Sequence, residues 1–193
     1  MRLAHIQAGD EDGFPQLPRR WHDDAVVSSQ LVLRPAQAAD VRAIRELCEP
    51  FVEQRFLVAK PPVAYYESVQ DFQLAFGAGQ LVGCGALHVM WEDLGEIRTL
   101  AVAPAWQGRG VGHRLLEALI SQARSVGLER LFCLTFETRF FAAHGFKPIV
   151  GTPVTPEVYT ELLQSHDDGV AEFLDLARVK PNTLGNTRMI LHL

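Results

Sequence analysis

Leu100-Ala101-Val102-Ala103-Pro104 leads into Gln107-Gly108-Arg109-Gly110-Val111-Gly112, and Val111, Leu115, Leu116, Leu119, Ile120 and Ala123 then recur up to Gly127. The apolar run stopped by Pro104 reads as a strand, the recurrence as an amphipathic helix, and Gly127 as its C-cap. A glycine-rich connection between strand and helix exposes backbone N–H groups at a helix N-terminus, where they hold phosphate oxygens. Three phosphate loops compete for this spacing. A Walker A loop needs Gly-Lys-Ser/Thr at its end, but Gly112 is followed by His113-Arg114. A dinucleotide fingerprint counted from Gly108 needs glycine where His113 stands, although Glu129 lies near the usual ribose-binding distance. The pattern Q/RxxGxG fits at Gln107, Gly110 and Gly112. There Gly110 and Gly112 let the backbone approach a pyrophosphate with no Cβ in the way. Arg109 either adds charge or lies in solvent, and a connection without any ligand is the plain alternative.

Outward from this loop the chain is mixed. Leu31-Val32-Leu33 before Arg34-Pro35 reads as a first strand, and Asp40 as the N-cap of a helix carrying Val41, Ile44, Leu47, Cys48 and Phe51. Pro50 should bend or end that helix near Glu49. A second helix runs through Val63 to Gln70, and a hairpin joins Phe72–Phe76 to Gln80–Met90 across Gly77-Ala78-Gly79. Gly83 and Gly85 inside its second strand suggest a bulge or a close backbone approach. Glu96 to Ala103 is the strand before the loop, and Arg130 to Phe136 the strand after its helix. A short helix from Arg139 to His144, a strand at Phe146–Ile149, a helix over Glu157–Gln164 and a last strand over Thr187–Leu193 follow. Strands and helices do not alternate strictly, which favours a mixed sheet over a doubly wound parallel one. Residues 1–29 carry Gly9, Gly13, Pro15 and Pro18 with no sustained period, and read as a flexible N-terminal extension to a domain over 30–193.

Composition narrows the function classes. With 193 residues, 48% hydrophobic and 21% charged, the chain suits one ordinary domain and excludes a disordered chain, a collagen-like repeat or a disulfide miniprotein. A net charge of -5 argues against a general nucleic-acid binder. Cys48, Cys84 and Cys133 are widely spaced in apolar surroundings and read as buried thiols of a cytoplasmic protein. The seven His residues form no HxxxH or His/Cys cluster, so no metal is expected. Residues 1–12 lack a secretory apolar region, and no apolar stretch approaches the ~20 residues of a membrane span.

The loop in its setting, with Phe140-Phe141-Ala142-Ala143-His144-Gly145-Phe146 after it, resembles the acyl-CoA loop and core of the GNAT superfamily of N-acyltransferases. The resemblance covers roughly Leu31 to Ile149. It implies an α/β fold of the α+β type, a mostly antiparallel mixed sheet with splayed central strands flanked by helices. Pantetheine then lies in the splay, acetyl-CoA is the co-substrate, no metal is used, and the amine attacks the thioester directly. Gln107, Gly108, Arg109, Gly110, Val111 and Gly112 would hold the pyrophosphate, and the amides of Leu100, Ala101 and Val102 would polarise the thioester carbonyl.

Within the superfamily the chain is similar to the N-acetylglutamate synthases of bacterial arginine biosynthesis, in their short stand-alone actinobacterial form. The matching pieces are Val82-Gly83-Cys84-Gly85-Ala86-Leu87, Leu94 to Val102, Leu131 to Thr135, Val170 to Leu176 and Val179 to Met189. The amino-acid-kinase domain fused to the longer synthases is missing. The resemblance implies L-glutamate as substrate, Lys60, Arg98, Asn186, Thr187 and Arg188 as its binding residues, and Glu96 as the base that frees the amine. Any one of these cations is otherwise a solvated charge, and Glu96 otherwise an edge carboxylate paired with Arg98. Where many superfamily members carry a Tyr acid, this chain has Phe140-Phe141, leaving Thr135 or water to protonate the thiolate. Feedback by L-arginine and a homodimer stay open, as do another small amine as substrate and a non-catalytic acyl-CoA-binding regulator.

Overall fold

The computed structural model describes residues 31–183 and 185–193, so the extension expected over 1–29 lies outside the described residues. Seven strands form one sheet: β1 (Val32–Pro35), β2 (Phe72–Gly77), β3 (Gln80–Val89), β4 (Leu94–Val102), β5 (Arg130–Thr135), β6 (Lys147–Pro148) and β7 (Thr187–His192), in the order β1-β2-β3-β4-β5-β7-β6. Every neighbouring pair is antiparallel except β4 and β5. The helices are α1 (Val41–Glu53), α2 (Pro62–Glu67), α3 (Val111–Ser125), α4 (Thr138–Ala142), α5 (Pro156–Leu162), α6 (Asp168–Phe173) and α7 (Lys180–Thr183).

Burial alternates across the sheet with the two-residue period of a strand. On β5, Leu131 and Cys133 pack with Leu116, Leu119 and Ile120 of α3, while Phe132 turns to the other face against Phe173 of α6, ring centroids 5.4 Å apart. Val41, Ile44 and Cys48 of α1 are fully buried on Phe72, Leu74 and Ala86. Each such buried aliphatic side chain stabilises the fold by about 1.5–3 kcal/mol. Cys48, Cys84 and Cys133 are free and buried, as expected.

Two local expectations are corrected. The helix does not break at Pro50: α1 continues to Glu53, because Pro50 stands in its last turn and forfeits a single N–H bond there. Asp40 does not cap α1 with its carboxylate. It receives both ends of the Arg34 guanidinium at 2.7 and 2.8 Å and the N–H of Gln37 at 2.8 Å. The Arg34 hydrogen bonds hold Asp40 below the usual carboxylate range.

Strands β4 and β5 are paired only at Leu94↔Arg130, Gly95↔Leu131 and Glu96↔Phe132. Beyond Glu96 they diverge. The register between β3 and β4 also slips, Cys84 facing Ala101 but Ala86 facing Arg98, so β4 carries one extra residue opposite Gly85. Thr99 in this bulge has φ +55°, a conformation that a β-branched residue adopts only under strain of about 1–3 kcal/mol. Gly85 makes room for the bulge, since a Cβ there would lie 2.8 Å from Leu100 Cδ1.

Candidate active site

The divergence of β4 from β5 opens a cleft of about 650 Å³. Thr99 to Val102 line one wall and Leu134 to Glu137 the other. Gly108, Gly110, Val111, Gly112 and His113 close one end, with Phe140 beside Gly112. Gly110 takes φ +79° as the N-cap of α3, the left-handed turn that directs the first helical amides outward. A Cβ on Gly112 would lie 3.4 Å from Phe140 and 3.7 Å from Val102, so a hydrogen here keeps the wall open. Outward-turned backbone amides with no side chain in the way are the arrangement that suits a phosphate group.

Two loop residues behave otherwise than a phosphate ligand. Gln107 donates its Nε2 to the carbonyl of Val102 at 3.1 Å and so ties the loop to the end of β4. Arg109 stacks its guanidinium over Trp106, 5.5 Å from the ring centroid, and does not line the cleft. Leu100, Ala101 and Val102 sit where expected, on the stretch of β4 that has lost its β5 partner, so amides turned that way have no strand to bond.

The charged residues gather around the Arg98–Thr99 end. Lys60, in the segment between α1 and α2, is half-buried with Nζ 3.5 Å from Thr99 Oγ1. Burial pulls its ammonium below the ordinary lysine value, and Arg98 adds to the shift. Glu96 is buried and lies behind the cleft wall, with Oε2 3.2 Å from Arg98 Nε. The two charges touch without a well-aligned hydrogen bond, leaving Glu96 Oε2, Arg98 Nε and Arg98 Nη2 without hydrogen-bond partners among the described residues. Burial raises the Glu96 carboxyl, and the Arg98 charge opposes the rise. Arg98 also donates to Asp167 Oδ2 at 3.1 Å. Burial pushes Asp167 up, but the charge and hydrogen bond of Arg98 leave it below the usual value.

The remaining expected residues come from the end of the sheet. Thr135 faces the cleft, accepts the N–H of Glu137 at 2.9 Å and keeps its own hydroxyl proton to donate. It is paired with Thr187 in the β5–β7 ladder, and Asn186 precedes that pair. Arg188 gives Nη1 to the carbonyl of Phe173 at 2.7 Å and Nη2 to that of Gly151 at 3.1 Å, so it fastens β7 to α6. Sequence reasoning missed Asp167, Gly169 and Glu172. The available signal was Glu172 itself, a single acid inside the apolar run Val170-Ala171-Glu172-Phe173-Leu174.

Among the described residues no group of His, Cys, Asp or Glu is arranged to hold a metal. No described helix is long and apolar enough to cross a membrane.

The splayed pair and the glycine loop agree with what the GNAT resemblance implied, and the sequence matches the Acetyltransferase (GNAT) family over residues 39–146. The chain belongs to this family. This GNAT acetyltransferase is 54% identical over 163 residues to the amino-acid acetyltransferase of Mycobacterium tuberculosis, covering 83% of this chain and 93% of that protein. It is 34% identical over 151 residues to the amino-acid acetyltransferase of Pseudomonas putida, covering 75% of this chain and 35% of that longer protein. Among solved structures, Rv2747 from M. tuberculosis in complex with CoA matches with a TM-score of 0.80 at 54% identity, over 84% of this chain and 99% of that one. N-acetylglutamate synthase from Neisseria gonorrhoeae, complexed with coenzyme A and N-acetyl-glutamate, matches with a TM-score of 0.68 at 27% identity, over 84% of this chain and 35% of that one.

Proposed function

We propose that this acetyltransferase moves the acetyl group of acetyl-CoA to the α-amino group of L-glutamate, forming N-acetyl-L-glutamate. The observation that carries the reading is the meeting of the cleft, at Arg98 and Thr99, with the buried charge of Glu96 and the half-buried charges of Lys60 and Asp167. The printed names of the relatives in Mycobacterium tuberculosis and Pseudomonas putida support an amino acid as acceptor.

An α-ammonium has a pKa of roughly 7.7–8.0 and must lose a proton before it attacks. Glu96 is the acceptor, reached through water because it lies behind Arg98. The freed amine forms its bond to the acetyl carbon, amides of the Leu100–Val102 stretch receive the charge that develops on the carbonyl oxygen, and the carbon–sulfur bond breaks. The nitrogen then sheds its second proton, and the thiolate takes one from water or through the Thr135 hydroxyl, which regains it from the nitrogen by way of water, so that one proton in all is left with Glu96. Lys60 and Arg98 offer the positive charge that a dicarboxylate needs. Asn186, Thr187 and Arg188 close the amino-acid side from β7.

The test is thiol release from acetyl-CoA across the twenty amino acids, with glutamate and glutamine at several concentrations. Turnover peaking on glutamate is the expected result. Turnover on another amine alone replaces the substrate and keeps the transferase. Acetyl-CoA binding with silence across the panel favours a regulator that kept the fold. Adding L-arginine to the same assay tests feedback inhibition; the structure of the Neisseria gonorrhoeae synthase complexed with coenzyme A and L-arginine motivates that arm.

A further inference from the structure

Several acids near Glu96 have a partner. Asp71 bonds His88 at 3.0 Å, Asp167 and Glu96 share Arg98, and Asp168 meets Arg178 at 3.0 Å. Glu172 of α6 is 93% buried, its carboxyl makes no hydrogen bond or ion pair among the described residues, and its oxygens are not among the sealed unpartnered atoms, so they keep some access to solvent. Gly169 lies three residues earlier on the same helical face. A Cβ on Gly169 would overlap Glu96 Oε2 and lie 2.8 Å from Glu96 Cδ, so this face of α6 rests on Glu96. The charges that act on Glu172 are those of Glu96, Asp168, Lys60 and Asp167. No cation among the described residues touches Glu172: Arg98 contacts Glu96 and Asp167, Arg188 the carbonyls of Phe173 and Gly151, and Lys60 the hydroxyl of Thr99. Glu172 therefore lacks a contacting cation, and an amino-acid substrate carries one.

We infer that Glu172 is a further substrate-binding residue, the carboxylate that receives the substrate's ammonium group beside the proton acceptor Glu96. The inference rests on the amino-acid acceptor argued above. A carboxyl buried without a cation stays protonated. Burial, helped by Glu96, Asp168 and Asp167 and opposed by Lys60, pushes Glu172 up to about 7. The other charged groups packed around it are Arg98 on β4, His88 on β3, which faces Asp71 and Asp167, and Arg188 on β7. When the ammonium arrives, Glu172 gives its proton to solvent and the carboxylate pairs with the intact cation. Glu96 then accepts one N–H proton through water, and the freed amine attacks. Amino-acid affinity should therefore fall as pH drops below about 7, approaching tenfold per pH unit.

The experiment is calorimetric titration of the CoA-loaded protein with L-glutamate and with glutarate, the same dicarboxylate lacking the amine, between pH 6 and 8. Glu172→Gln should weaken L-glutamate roughly tenfold to hundredfold, the loss of one charge-assisted hydrogen bond, leave glutarate unchanged and abolish the pH dependence. Glu172→Asp should recover part of the preference for L-glutamate, which a variant that merely misfolds cannot do. Equal weakening of both ligands by Glu172→Gln, or an unchanged pH dependence of L-glutamate, overturns the assignment. If the panel assay instead identifies another amine, the glutamate reading fails separately. That amine and its deaminated counterpart then put Glu172 to the same comparison.

Discussion

Replacing Gly169 by alanine adds one methyl group at the place where α6 lies on Glu96. In an ordinary exposed helix this change stabilises by up to about 1 kcal/mol, because glycine has more backbone freedom to lose. Here the new Cβ would overlap Glu96 Oε2 and stand 3.0 Å from Asp167 Oδ1. Both neighbours are held by Arg98, so neither carboxylate swings away freely. Forcing a methyl into a packed site costs about 1–3 kcal/mol. Stripping a buried charge of its partner would cost about 3–5 kcal/mol, although Glu96 escapes part of this by protonating. The balance is a net loss of about 1–2 kcal/mol, which for a protein of this size lowers Tm by roughly 2–8 °C. Because Glu96 is displaced or protonated, kcat should fall at least about tenfold, the scale of a general base partly lost. Acetyl-CoA affinity should not change, since the loop at 107–112 lies at the other end of the cleft. Thermal unfolding, steady-state kinetics and acetyl-CoA titration of Gly169→Ala read the three quantities. A variant more stable than the parent with unchanged kcat would refute the contact between α6 and the base.

Gly112→Val should keep the fold but lose acetyl-CoA binding, because its methyls enter the cleft between Phe140 and Val102; calorimetry with unchanged affinity would displace the pyrophosphate from this loop. Glu96→Gln should lower kcat by roughly 10²–10⁴. The parent rate falls on acidification because a base whose carboxyl burial has raised must be ionised to act, and the variant should lack that limb in a pH–rate profile. Lys60→Ala should raise the glutamate KM more than the acetyl-CoA KM. Arg188→Ala should do the same and also lower Tm, since its guanidinium holds the carbonyls of Phe173 and Gly151; equal KM effects on both substrates would make either residue structural.

The strands and the glycine-rich connection were legible because their signals are local. Leu115, Leu116, Leu119, Ile120 and Ala123 recur at helical spacing and all are buried on one side of the helix α3. Gly83 and Gly85 announced a close approach, and the bulge of β4 lies opposite Gly85. Gln107 was recognisable by its place in the loop motif, but its bond to Val102 depends on where β4 ends. The amino-acid side was harder to read because it is assembled from distant segments. Lys60, Glu96, Asp167 and Glu172 meet only after the sheet has formed, and Glu172 follows Glu96 by some seventy residues with no spacing rule between them. Helices α6 and α7 were not foreseen; each is shorter than the two turns that a periodicity argument needs. Asp40 has the right type and place for an N-cap, yet the nearby Arg34 offered its carboxylate a stronger partner.

The position of β7 has a consequence for the order of assembly. It follows β6 in the chain but lies between β5 and β6 in the sheet. β6 pairs with β7 alone, so it has no ladder to join until Thr187–His192 arrives. The hairpins of β2 to β4 and the helix after the glycine-rich loop are built from shorter-range contacts and can close earlier. During synthesis the nucleotide-holding half can thus be in place while β5 still has an open edge, and the acceptor half waits for a segment made more than fifty residues later. A chain arrested before Thr187 would keep the glycine-rich loop proposed for acetyl-CoA yet lack Arg188, the fastening of α6 over Glu96. In a nascent chain, cofactor capture and catalytic competence would then be separate events in time.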